Sequence, residues 1–190
     1  FAELAKFNGI NFRRLRGQTL FSQGVRPYPL IYNNRLYYRF LTYGVYKLGR
    51  INADTSVTIF DNPDVAATIL ADSLSIEFNG KLYFIIGIAG KYRLAEFDGN
   101  NVAWVPQPDG GDGFTTYKPV VNNGYLYWVY QNINHKFQVA KYDGSTISLI
   151  GDPGSGTGAY SNIVQYNNDI YFKFNNKLAR YNEVNNIITY

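Results

Sequence analysis

The chain consists of short runs in which apolar and polar residues alternate, separated by polar pairs. One example is Asn79-Gly80-Lys81-Leu82-Tyr83-Phe84, in which a polar pair precedes an apolar and aromatic run. Alternation with a period of two is typical of β-strands, and an Asn-Gly pair between two such runs predicts a tight hairpin with positive φ at both central residues. No stretch has the apolar spacing of an amphipathic helix of any length. We therefore predict an all-β protein.

This hairpin motif recurs at nearly constant spacing. Its copies begin at residues 33, 79, 123 and 167, which places them 46, 44 and 44 residues apart. A second motif follows each copy and reads Leu94-Ala95-Glu96-Phe97-Asp98-Gly99 in the second one. The second motif also occurs near the start, as Leu4-Ala5-Lys6-Phe7-Asn8-Gly9, with no first motif before it. Two linked motifs at matching intervals indicate a repeat architecture.

Each repeat contains two hairpins and therefore four strands. In the third repeat we predict these strands at 117–121, 125–130, 137–142 and 146–150, with Asp143-Gly144 forming the same kind of tight turn as the Asn-Gly pairs. Four-stranded units of about 44 residues in series are the sequence signature of a β-propeller, whose blades are arranged radially.

We predict a single, partial propeller ring over residues 1–190. It has a half blade that supplies only a third and a fourth strand, followed by four full blades, with boundaries at 1–24, 25–66, 67–112, 113–157 and 158–190. A ring of five blades would need two further strands to close. Because the chain begins at Phe1 without a leader, we expect it to be a processed or excised piece of a longer protein.

The composition excludes several classes of functional site and partner. The chain has no Cys and no Met, which excludes disulfides, thiolate metal sites and a cysteine nucleophile. The 18 Lys and Arg against 14 Asp and Glu give a net charge of +4, too mild to indicate a nucleic-acid partner. The most apolar central run, residues 82–88, is far shorter than the ~20 residues of a membrane helix, so we expect no membrane insertion.

The two motifs together resemble the ELWxxDGT-type repeats of large bacterial secreted and cell-surface proteins. Phe78-Asn79-Gly80-Lys81-Leu82-Tyr83-Phe84 matches the first part of that repeat, and Tyr142-Asp143-Gly144-Ser145-Thr146 matches the second. The Glu-Leu-Trp part has no counterpart, since the equivalent run reads Arg93-Leu94-Ala95. The resemblance covers nearly the whole chain and implies an extracellular bacterial propeller. It implies no catalytic residue.

Ligand-binding residues are expected where loops interrupt the repeat, because loops on a rigid scaffold carry most binding sites. The Asn-Gly and Asp-Gly hairpins should lie on one face, and the loops between second and third strands should join the connections between repeats on the other. We expect this second face to be long and irregular, and we assign seven candidate ligand-binding residues to it: Tyr43, Asp109, Asp112, Phe114, Tyr117, His135 and Tyr160.

Several of these candidates have a simpler structural interpretation. Asp109 and Asp112 could hold Ca²⁺ through their carboxylates, although turn formation explains the same Asp-Gly pattern. No other cofactor is expected. His135, the single His, has no Ser nucleophile or further ligand nearby in sequence, which favours a solvated loop residue over a general base. Trp104 and Trp128 are assigned to the core, the latter in an aromatic column with Tyr38, Phe84 and Phe172.

These observations favour a non-catalytic module of a larger bacterial secreted or surface protein. We expect it to bind a protein or a glycan through the irregular face and to contact the remaining blades or domains of its parent protein. The alternative is a fragment of a glycoside-cleaving propeller enzyme. Paired carboxylates such as Asp61 and Asp64 would serve that chemistry, but both flank Pro63 in an ordinary turn.

Overall fold

The computed structural model describes residues 5–7, 12–14, 29–69, 75–109, 113–114, 117–151, 158–159, 161–183 and 187–189. Every regular element in these ranges is a β-strand, which confirms the all-β prediction. The strands are β1 Ala5–Phe7, β2 Phe12–Arg14, β3 Leu30–Tyr32, β4 Arg35–Thr42, β5 Val45–Ile51, β6 Val57–Phe60, β7 Thr68–Ile69, β8 Ile76–Phe78, β9 Lys81–Ile88, β10 Lys91–Phe97, β11 Val102–Trp104, β12 Gly113–Phe114, β13 Val120–Asn122, β14 Tyr125–Gln131, β15 Phe137–Tyr142, β16 Ile147–Ile150, β17 Val164–Tyr166, β18 Asp169–Phe174, β19 Lys177–Asn182 and β20 Ile187–Thr189. Within the described ranges, no helix is long and apolar enough to cross a membrane.

The strands form four antiparallel meanders, each made of four consecutive strands. We number them units 1 to 4, and they comprise β3–β6, β8–β11, β13–β16 and β17–β20. The short strand β12 pairs with β10 and with β14, so units 2 and 3 belong to one continuous sheet. The hairpin β1–β2 forms a separate two-stranded sheet.

Equivalent third-strand residues pair with the fourth strand in a similar way in units 1, 2 and 3. Ala95 faces Trp104 across the third and fourth strands of unit 2, as Gly49 faces Ile59 in unit 1. In the first hairpin, Ala5 pairs with Arg14. These positions lie 90 residues before Ala95 and Trp104, which pair in unit 2. Strands β1 and β2 therefore correspond to the third and fourth strands of a unit.

Two-residue turns join the first and second strands of each unit. Both turn residues have positive φ, for example 47° at Asn79 and 70° at Gly80, as a type I′ turn requires. The turns between third and fourth strands differ from our prediction. Phe97 pairs with Val102, which leaves a four-residue turn, because Asp98 Oδ1 accepts hydrogen bonds from the backbone N–H of Asn100 (2.8 Å) and Asn101 (2.7 Å). Asp143 makes the same turn in unit 3.

The first strand of a unit can be interrupted, which the sequence pattern did not reveal. In unit 2, β7 pairs with the end of β9 and β8 pairs with its start. In unit 3, β12 and β13 divide the edge of β14 in the same way. The first strand that we predicted at 117–121 is therefore β13, Val120–Asn122.

The described residues form three hydrophobic core clusters, one at each junction between consecutive units. In every unit, one face of the meander points to the next unit along the chain, and we call it the leading face; the opposite face is the trailing face. At the first junction, Tyr37 and Leu48 on the leading face of unit 1 contact Leu82, Phe84 and Phe97 on the trailing face of unit 2. The second and third junctions use the equivalent positions.

The predicted aromatic column lies on the trailing faces. Phe84, Trp128 and Phe172 are at most 3% exposed, and each belongs to the cluster at its own junction. Tyr38 in unit 1 is half-buried. Trp104 packs against the first cluster, and the guanidinium of Arg93 lies 5.7 Å from the centre of its ring. Both Trp residues thus serve packing, as predicted.

Candidate binding face

The turns of the four units are divided between two ends of the strands. Asn79 Nδ2, in the first turn of unit 2, donates to the backbone carbonyl of Asp143 in the last turn of unit 3 (3.1 Å). We call this end the hairpin face. The opposite end holds the turns between second and third strands, at 43–44, 89–90, 131–136 and 175–176, and the connections at 61–67 and 105–109. We call it the loop face.

The loop face is more regular than we expected. Three of its four turns contain only two residues and have positive φ at both, among them Tyr43 (49°) and Gly44 (86°). The exception is the loop 131–136 in unit 3. There the side-chain oxygen of Asn132 accepts from the backbone N–H of Asn134 (3.0 Å) and Lys136 (2.9 Å), which fixes the loop.

His135 occupies the left-handed position of this loop, with φ at 57°. Its backbone N–H donates to the carbonyl of Asn132 (2.9 Å), and its side chain is exposed. Thr55 has the same conformation and the same backbone hydrogen bond, to Asn52, in the last turn of unit 1. The site of His135 is therefore an ordinary turn position.

Asp109 ties the connection before unit 3 to the same loop. Its Oδ1 accepts a hydrogen bond from the hydroxyl of Tyr130, and its Oδ2 accepts from the backbone N–H of Ile133 (3.1 Å). Both carboxylate oxygens are thus engaged in holding the loop 131–136 against the connection. This arrangement gives Asp109 a positioning role on the loop face.

Three apolar side chains stand out from the loop face. Tyr43 is 99% exposed, Val65 is 90% exposed and Ile133 is 60% exposed. They lie in the first turn of this face, in the connection after unit 1 and in the loop of unit 3, respectively. A fourth side chain, Tyr92 at the start of β10, is 36% exposed. The sequence indicated Tyr43, but Val65 and Ile133 gave no signal that distinguished them from core residues.

The backbone below these side chains is fixed by contacts between units. The N–H of Tyr46 donates to Thr68 Oγ1 (2.9 Å), and the N–H of Ala159 donates to the carbonyl of Phe137 (2.8 Å). Tyr92 pairs with Gly113 at the intervening junction. Each connection is therefore hydrogen-bonded to the third strand of the unit before it. These bonds fix the backbone of the loop face that carries the exposed side chains.

The other predicted residues do not join this group. Tyr117 is half-buried and packs against the third core cluster. Asp112 and Tyr160 lie outside the described residues, and Phe114 is described only by its place in β12. The structure thus brings Tyr43, Asp109 and His135 to the loop face.

Several of the carboxylates in the described ranges have structural partners. Asp61 pairs with Lys47 (2.6 Å), and Asp64 Oδ1 accepts from the N–H of Ala66 (2.9 Å). Asp169 is 3% exposed and is bound by Arg180 and Asn182. Hydrogen bonds from backbone N–H groups lower the pKa of Asp98 and of Asp143. Among the residues described, no three His, Asp or Glu side chains are grouped to hold a metal ion.

Two partly buried networks near the hairpin face combine tyrosines with an ion pair. Lys81 Nζ lies 2.6 Å from Glu96 Oε1, and the hydroxyl of Tyr83 donates to Glu96 Oε2 (3.1 Å). Burial and the charge of Glu96 raise the pKa of Tyr83 far above its usual value. At the third junction, burial and Glu183 raise the pKa of Tyr127 in the same way. Both phenols belong to the core clusters at their junctions.

The hairpin face also has a shallow cleft of about 280 Å³ between units 1 and 2. It is lined by polar groups and one phenol, from Asn33, Arg35, Tyr37, Gly99 and Asn100. Sequence reasoning did not find it, because it lies where two repeated turns meet.

No family model matches the sequence, and no curated protein is significantly similar to it. Among solved structures, the chain is similar to that titled "Crystal structure of puromycin hydrolase S511A mutant complexed with PGG". The TM-score is 0.52 and the identity is 10%, over 94% of this chain and 30% of the other. The chain therefore spans less than a third of that protein, and the likeness is one of fold.

Proposed function

We propose that this chain is a run of β-propeller blades that works as a non-catalytic binding module, with the loop face as its ligand surface. Four units of equal topology, joined by three equivalent core clusters, support the radial arrangement. The extracellular, bacterial setting is part of this proposal and rests on the resemblance to ELWxxDGT-type repeats alone.

The observation that carries the binding role is the exposure of Tyr43, Val65 and Ile133 on one rigid face. Apolar side chains exposed on a rigid scaffold suit contact with a protein partner. Two of the three are aliphatic, and an aliphatic side chain offers no stacking platform for a sugar ring. We therefore favour a protein partner over a glycan. The engagement of Asp61, Asp64 and Asp109 in turns and ion pairs supports a role without catalysis.

A comparison of two variants tests this proposal. The first combines Tyr43→Ser, Val65→Ser and Ile133→Ser, and the matched control is Ile31→Ser, which removes a 73% exposed side chain away from the loop face. Each protein is immobilised and exposed to secreted and surface proteins of a bacterial culture, and bound proteins are quantified by mass spectrometry, with a glycan array in parallel. We expect a partner retained by the wild type and the control but lost by the triple variant. Equal retention by all three proteins, or binding on the glycan array alone, contradicts the proposal.

A further inference from the structure

The leading face of unit 4 is uncovered, although the same face is buried in the other three units. Leu178 is 69% exposed, whereas the equivalent residues Leu48, Leu94 and Val139 are at most 4% exposed. Tyr166 is 64% exposed, and its equivalent Tyr32 is 1% exposed. Val164, beside them, is 57% exposed. Unit 4 thus has the side chains that build each existing junction, and no further unit packs on them in the described part of the chain.

The existing junctions define what such a neighbour must offer. At the first junction, the hydroxyl of Tyr32 donates to the carbonyl of Gly80, in the first turn of unit 2. At the third junction, Asn122 Nδ2 donates to the carbonyl of Asn168, in the first turn of unit 4 (3.0 Å). Tyr166 carries the same hydroxyl as Tyr32 at the same position. It therefore suits the turn carbonyl of a further hairpin.

The apolar part of each junction comes from the second strand of the neighbouring unit. Leu82, Phe84 and Ile86, which alternate along β9, fill the first cluster. Leu126, Trp128 and Tyr130 do so at the second. A partner for unit 4 therefore needs a β-hairpin with a polar two-residue turn and three apolar side chains alternating along its second strand.

We propose that the leading face of unit 4 is a docking surface for the inner hairpin, that is, the first and second strands, of a further unit of this same repeat. The chain itself carries the matching outer half, because β1–β2 has the register of a third and fourth strand and, in the described ranges, β1 pairs with β2 alone. The hairpin packs its second-strand side chains on Leu178 and Tyr166. Docking on unit 4 does not depend on the binding role proposed for the loop face.

The test uses a synthetic peptide with the sequence of residues 29–42, which is an inner hairpin of this chain. Its polar two-residue turn is Asn33-Asn34, and Leu36, Tyr38 and Phe40 alternate along its second strand. The control peptide replaces these three by Ser and keeps the turn. Because the chain has no Cys, Leu178→Cys introduces a unique thiol whose maleimide labelling rate reports on the face. Tyr166→Cys is the second reporter, and Tyr43→Cys on the loop face is the reference.

We expect the peptide at about ten times its Kd to slow labelling at position 178 roughly tenfold, with no change at position 43 and no effect of the control peptide. Unchanged labelling at both 178 and 166 with saturating peptide overturns the proposal. So does protection at these positions that grows with the concentration of the chain itself, since a second copy would then be the occupant.

Discussion

The ring of Tyr83 meets the ring of Tyr142 edge-on across the second junction, with centroids 6.1 Å apart and planes at 73°. Tyr37 and Phe97 make the equivalent contact at the first junction (5.5 Å), and Tyr127 and Tyr181 make it at the third (6.4 Å). Such edge-to-face pairs add stability beyond the area they bury. One aromatic pair therefore repeats at each junction, and it joins the second strand of one unit to the third strand of the next.

Leu94 and Leu178 occupy the same position in units 2 and 4 but differ in exposure, 4% against 69%. We expect Leu94→Ala to lower the free energy of unfolding by about 2–5 kcal/mol, because it opens a cavity in the second cluster. Leu178→Ala should change it by less than about 0.5 kcal/mol. Urea unfolding followed by tyrosine and tryptophan fluorescence measures both. Equal losses would mean that the face of unit 4 is covered in solution.

Gly49 lies where the equivalent residues of units 2 and 3 are Ala95 and Ala140. A Cβ at Gly49 would stand 2.3 Å from Cδ2 of the buried Phe40 and 2.8 Å from Cδ1 of Ile59. We therefore expect Gly49→Ala to cost about 1–3 kcal/mol through overpacking. Unit 2 combines Ala95 with Ile86 at the position of Phe40, so Phe40→Ile should recover part of that loss. A double-mutant cycle measures the coupling, and simple additivity would contradict it.

We expect the free energy of unfolding to fall at alkaline pH. The folded protein holds the phenolic protons of Tyr83 and Tyr127 well above the ordinary pKa of 10.0, because burial and a nearby carboxylate disfavour the phenolate. Above about pH 10 the unfolded chain releases protons that the folded chain keeps, so stability falls as the pH rises. It should be constant with respect to these groups below pH 9.

Urea midpoints measured from neutral to alkaline pH test this expectation. Above pH 10, the urea midpoint should fall less steeply with pH in Tyr83→Phe and in Tyr127→Phe than in the wild type. Tyr43→Phe, at a fully solvated phenol, is the control and should keep the wild-type slope. Identical slopes in all four proteins would show that the buried phenols do not carry the effect.

The ion pair between Lys141 and Glu183 crosses the third junction at 2.5 Å, with side chains only 18% and 14% exposed. Glu183→Gln leaves the Lys141 charge without its counter-ion, and we expect a loss of about 3 kcal/mol. The matched control is Asp61→Asn at the Lys47 pair, where Asp61 is 88% exposed and the loss should be below about 1 kcal/mol. Thermal unfolding compares the two variants, and equal shifts in Tm would contradict a structural role of the partly buried Lys141–Glu183 pair.

The repeat and the turns between first and second strands could be predicted from the sequence. Asn-Gly and Asn-Asn pairs tolerate the positive φ that a two-residue turn requires. The sequence was not sufficient for the turn after Phe97. There the side chain of Asp98 binds two backbone N–H groups and stabilises a four-residue turn, a competition that the Asp-Gly pair alone does not reveal.

The candidate site was predicted less completely. Tyr43 was predicted on the loop face and is exposed there, whereas Tyr117, which we predicted as a stacking candidate, is half-buried and packs against the third cluster. The partial ring implied an open end, but the sequence did not indicate which residues would be exposed there. Leu178 occupies a repeat position that is buried in the other units. Only the structure shows that no unit covers it in the described part of the chain.

The central claim is that the units are arranged radially rather than stacked in a line. Distances between pairs of spin labels, measured by pulsed electron paramagnetic resonance, test this claim. The labels are attached to cysteines introduced at equivalent turn positions of the loop face, because the chain has no native Cys. The positions are Tyr43 in unit 1, Asn134 in unit 3 and Asn175 in unit 4. For a five-blade ring we predict a distance from 43 to 175 no greater than that from 43 to 134. A distance that grows in proportion to the number of junctions between the labels would contradict the radial arrangement.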